Sequence, residues 1–217
     1  MEENEIIQKY KHRLRIFLII YVFSDDYQDE KRPAYKKLLQ SEIKIQKIDF
    51  WLRNPDYFAY ELLKLVKENP DKRTEIKLIV KDIFNSKEPE IRREEMEKFR
   101  FGAYQDLDDV IAFLSSVDLV KFESKRAIDS KVRNKKYFLT ELALKKLNEN
   151  INSLSFLQWY FDRCNLIKKY FGDKTGSQLK DIQYELDEYK TTSFNDYIAG
   201  ISEFAKDEYQ KIYHEKL

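Results

Sequence analysis

The chain has 217 residues, 42% of them hydrophobic and 36% charged, with a formal net charge of +1. That length holds one large domain or two small ones, and a net charge this close to zero selects no polyanionic partner by global attraction. Four Gly and four Pro are too few for a barrel or sandwich with many tight turns, so helix is expected to dominate.

In chain order, residues 5–24 read as a helix whose second half, Ile16 to Phe23, is apolar on all sides and therefore buried. A membrane-spanning helix needs about 20 apolar residues, well beyond this run. The acidic start lacks a small-residue cleavage site, so no signal peptide is expected. Residues 25–33 form a polar break. A helix is predicted over about 34–48, with Leu38, Leu39, Ile43, Ile45 and Ile48 on one stripe. Asn54-Pro55-Asp56 and Asn69-Pro70-Asp71 then punctuate two further helices, because Pro disfavours helix at the residue before it. Residues 86–100 read as a solvated helix or a connector.

The stretch from Tyr104 to Leu147 is the most informative. Leu107, Val110, Ile111, Leu114 and Val117 recur at helical spacing. Leu119, Val120 and Phe122 follow as a strand, and Tyr137, Phe138 and Leu139 as a second, before another helix. This order is the second half of a winged helix, with the hairpin as its wing. Helices resume at about 154–171, 177–190 and 195–214. The fold class expected is mainly α with a small β-hairpin: a helical N-terminal region (1–100), a winged-helix-like segment (101–153) and a helical C-terminal region (154–217), packed together as one unit.

Chemistry-bearing patterns are sparse. His12 and His214 lie near opposite ends, no Cys/His spacing suits zinc, and no phosphate-binding glycine motif is present. Gly172 to Gly176 follows a helix rather than a strand, so it reads as a helix-terminating turn. Cys164 is the single cysteine and sits among Phe161, Leu166 and Ile167, which predicts a buried, inert thiol in a reducing, cytoplasmic compartment. No catalytic residue, cofactor site or metal site is assigned, and a non-enzymatic role is expected.

Two constellations remain. The wing carries Lys121, Lys125, Arg126, Lys131, Arg133, Lys135 and Lys136 against Glu123 and Asp129, which makes these seven cations candidate contacts to a DNA backbone. The helix before it opens with Asp106, Asp108 and Asp109. Acids there suit the helix dipole but repel phosphates, so sequence reading in a groove is not expected. The second constellation runs from Lys44 to Tyr57. Lys44, Asp49, Trp51, Arg53, Asp56 and Tyr57 form either a structural corner or a partner interface, with Arg53 expected to pair with Asp49 or Asp56.

The strings from Lys44 to Asp56, from Tyr104 to the Tyr137-Phe138-Leu139-Thr140-Glu141 junction, and from Arg163 to Lys180 together resemble the middle component of ABC three-component systems. These are bacterial operons with an SMC-like ABC ATPase and an effector, and they include the Lamassu type of anti-phage and anti-plasmid defence. The resemblance implies a subunit without chemistry of its own, which links the ATPase to an effector, commonly a nuclease. It also implies restraint of that effector until foreign DNA is sensed. The basic wing, read by itself, allows non-specific double-stranded DNA contact within such a complex, and the short apolar run predicts no membrane partner. The alternative reading is a winged-helix DNA-binding transcriptional regulator.

Overall fold

The computed structural model describes residues 3–99, 102–126, 132–150 and 155–217. By contact the chain groups into two compact units, one of residues 1–49 and 105–179, the other of residues 50–104 and 180–217.

The first unit opens with α1 (Glu3–Phe23), β1 (Asp25–Asp26), β2 (Tyr35–Leu39) and the greater part of α2 (Glu42–Arg53). The helix predicted over 34–48 is therefore corrected. Its first residues are a strand, because Tyr35 to Leu39 find ladder partners far along the chain. A short apolar pair such as Leu38-Leu39 fits either period, and tertiary pairing decides. Helix α2 starts after Ser41, whose Oγ accepts from the Lys44 amide at 3.1 Å as an N-cap.

Past the second unit's first segment the chain returns with α6 (Asp108–Ser116), β5 (Val120–Arg126), β6 (Val132–Thr140), α7 (Glu141–Asn150) and α8 (Ser155–Phe171). The sheet is antiparallel with order β1-β2-β6-β5. Leu38 pairs with Phe138 on one side of β6, and Val120 with Leu139 on the other. Helix α1 packs on α8 and α6 and reaches β2 and β6. Ile16, Leu18, Ile19 and Ile20 of α1 are fully buried, as are Val120, Phe138, Leu139 and Ala143. A helix, a strand, two more helices and a hairpin, with the first strand paired to the hairpin's second, is the winged-helix arrangement. Its first half is α1, β2 and α2, which the strand misassignment conceals in the sequence.

In the second unit, α3 (Pro55–Glu68) packs on α4 (Arg73–Asn85), α5 (Glu88–Ile91) and, near the chain's end, α11 (Ser202–Tyr213). Proline at the first position of α3 forgoes an amide that would be unpaired there in any case. Strands β3 (Glu97–Phe99) and β4 (Gly102–Tyr104) form a two-stranded hairpin, to which Tyr197 adds a bridge at Glu97. The helix predicted over 177–190 divides into α9 (Gly176–Tyr184) and α10 (Asp187–Thr191). That predicted from 195 begins only at Ser202, since Phe194 and Asn195 form a turn and Tyr197 is bridged to Glu97 of the hairpin. Phe50, Tyr57 and Tyr189 meet edge-to-face inside this unit, with centroids 4.8–6.3 Å apart.

Candidate functional site

In the first unit, α6 lies where a winged helix carries its recognition helix. Gln46 of α2 fixes its approach: the Gln46 side chain accepts from the Gln105 amide at 3.0 Å and donates to the Gln105 carbonyl at 2.6 Å. Asp106, Asp108 and Asp109 are exposed at its start, and Asp106 Oδ1 accepts from the Asp108 amide at 2.8 Å. The start of α6 is therefore anionic.

The wing cations are partly engaged within the unit. Lys121 pairs with Asp118 at 2.6 Å, which raises its pKa. Lys135 pairs with Glu42 in the first turn of α2, and Glu42 also accepts from the Tyr137 hydroxyl at 3.3 Å. Lys136 stands opposite Glu123 in the ladder. The backbone register places Lys125 against Arg133 and Arg126 against Val132, while Lys131 lies outside the described residues.

A neighbouring device escapes the sequence reading. Arg32 lies over the rings of Tyr27, Tyr35 and Phe138 at 5.0–5.6 Å. Its Nε donates to Asp29 at 2.9 Å and its Nη1 to Glu123 of β5 at 2.5 Å. These carboxylates hold the guanidinium pKa above its ordinary value, the Asp29 hydrogen bond first. The loop after β1 is thereby bolted to the wing. The only local signal is a Tyr, an Asp and an Arg within one polar break; the partners from β5 and β6 are too remote in sequence to be read.

The Lys44–Tyr57 residues are mostly interior. In the first unit, Lys44 Nζ donates to the Gly172 carbonyl at 2.8 Å and half-burial lowers its pKa. Asp49 is fully buried and its Oδ1 accepts from Arg15 Nε at 2.5 Å. Arg53, whose partner is expected from sequence to be Asp49 or Asp56, meets the segment before β3. In the second unit it donates to the Glu94 carbonyl at 3.2 Å and to that of Glu95, with the Glu94 carboxylate at 3.7 Å. Asp56 caps the start of α11, its Oδ2 accepting from the Ile201 amide at 2.6 Å and the Ser202 hydroxyl at 3.3 Å. Burial raises its pKa. Trp51 is buried beside Phe58, and the buried Tyr57 donates its hydroxyl to the Ala199 carbonyl at 2.9 Å.

Cys164 is fully buried in the first unit, and burial pushes its thiol pKa up. Among the described residues no three His, Cys, Asp or Glu side chains group as metal ligands, and no helix is long and apolar enough to cross a membrane. The chain matches no protein-family model, no curated protein and no solved structure.

Proposed function

We propose that this chain is a non-catalytic adaptor subunit of a cytoplasmic anti-phage or anti-plasmid complex, linking an SMC-like ABC ATPase to an effector and restraining that effector until foreign DNA is sensed. The observation that carries this reading is the winged-helix unit in which Asp106 before α6, and Asp108 and Asp109 in its first turn, are exposed to solvent. Such a face is suited to a protein partner with complementary cations, and unsuited to phosphate. The resemblance to the middle component of ABC three-component systems supplies the identity of the partners, and an effector of the nuclease type follows from the same source.

The test is genetic. Deleting this chain while keeping its neighbouring genes should release the effector, seen as DNA degradation and loss of viability without infection. A silent effector and intact defence in the deletion strain would overturn the proposal.

A winged-helix transcriptional regulator is the second reading, favoured by the pairing of β2 with β6 and by the position of α6. It requires one duplex sequence to be enriched from a random pool, with enrichment lost on charge reversal at Arg126, Lys131 and Arg133. Non-specific duplex contact enriches none, and its affinity falls steeply with salt.

A further inference from the structure

We infer that the outward face of the β3–β4 hairpin in the second unit is a docking surface for an arginine-bearing segment of a protein partner. Directly opposed residues of an antiparallel pair share a face, and the register pairs Glu97 with Tyr104, Lys98 with Ala103 and Phe99 with Gly102. The Lys98–Ala103 face is turned inward. Ala103 is 1% exposed and its amide donates to the Tyr189 hydroxyl at 2.5 Å. Lys98 Nζ donates to the Lys190 and Thr192 carbonyls at 2.6 and 2.7 Å, at the end of α10. Glu97, Phe99 and Tyr104 therefore face outward.

Phe194 and Tyr197 extend this face. Phe99 stacks at a tilt on Tyr104 and on Phe194, with centroids 5.3 and 4.9 Å apart. Exposure runs from 37% at Tyr104 to 58% at Tyr197, with Phe99 and Phe194 between. The rings stand on a fixed backbone: the Lys98 amide donates to Asp196, the Asn195 amide to Lys98 and the Ile198 amide to Met96, at 2.9–3.0 Å. A rigid aromatic platform loses little conformational entropy when a partner covers it.

The chemistry of the face selects its occupant. Glu97 lies between Tyr104 and Tyr197 on the ladder, and Glu95 is exposed two residues earlier. Lys98, the hairpin's cation among the described residues, is committed to the opposite side. Ring faces flanked by carboxylates attract cations, and a planar guanidinium both stacks on the rings and pairs bidentately with a carboxylate. An ammonium does the second less well and the first without planar overlap. A second copy of this face, or a nucleic-acid phosphate, would be repelled by Glu97. The inference stands independently of the adaptor reading.

The test titrates the full chain, by fluorescence anisotropy, into a labelled peptide of alternating Arg and Leu and into its Lys counterpart. The Arg peptide should bind about tenfold tighter than the Lys peptide. Phe99→Ala and Glu97→Lys should each weaken it by about tenfold, with circular dichroism unchanged. Glu203→Lys, at a side chain 86% exposed in the same unit, should leave the affinity within about twofold. No binding, equal affinity for the two peptides, or an equal loss from Glu203→Lys would overturn the inference.

Discussion

Arg15 and Asp49 form a buried ion pair in the first unit, with Nε and Oδ1 2.5 Å apart. Such a pair adds little over apolar residues of the same volume, but removing one partner strands a buried charge. Arg15→Ala should therefore lower stability by about 3–5 kcal/mol in urea denaturation. A loss under about 1 kcal/mol would mean that water reaches the pair in solution. In the second unit Glu61 behaves differently. Its pKa is raised from 4.5 to about 7 because burial outweighs Lys64, whose ammonium lies 3.2 Å away, and Glu185 and Glu68 add repulsion. Its Oε1 has no hydrogen-bond partner among the described residues. A carboxyl whose folded pKa is raised binds its proton more tightly when folded. Its stabilising contribution is thus complete below pH 4.5 and is lost as pH rises through about 7. The window corresponds to roughly 3 kcal/mol. Glu61→Gln should flatten the stability–pH curve between those limits, measured by denaturant midpoints; an unchanged slope would assign the dependence to another group.

Among the elements, α9 begins in close backbone contact with the start of α2 in the first unit. A Cβ on Gly176 would lie 2.7 Å from both the Lys44 amide nitrogen and Ser41 Oγ, and 3.0 Å from Ile43 Cβ. Two of these neighbours form the N-cap of α2 and cannot retreat without breaking it. Gly176→Ala should therefore cost about 1–3 kcal/mol, read from the denaturant midpoint, although alanine is the better helix former. A gain in stability would show that α9 can move away. The sequence pointed to a turn here through Gly172 and Gly176, but not to the contact that requires the second glycine. The hairpin and α6 were legible because their apolar periods are local: helical spacing from Leu107, then strand-like triplets at Val120 and Tyr137. Strand β2 and the extended residues around Tyr197 were not. Each is defined by a partner about 100 residues away, Tyr35 with Thr140 and Tyr197 with Glu97.

At the scale of the molecule, the sequence divides along its length into 1–100, 101–153 and 154–217, while the packed units are each assembled from two separated stretches. The reason is β2, which belongs to the wing's sheet though residues 50–104 intervene before α6. Of the candidate site, the cations of the wing and the acids of α6 could be read directly. That Lys121, Lys135 and Lys136 face Asp118, Glu42 and Glu123 could not, because it depends on register and on how α2 is placed. Among the described side chains, the acids at the start of α6 are exposed while these three wing cations face carboxylates.

The most direct measurement is affinity capture of the tagged chain from its native host with its neighbouring genes intact, at moderate salt, with mass spectrometry of what accompanies it. The adaptor account predicts a large coiled-coil ABC ATPase in stoichiometric amount. Recovery of the chain alone, or with DNA and no ATPase, would contradict it.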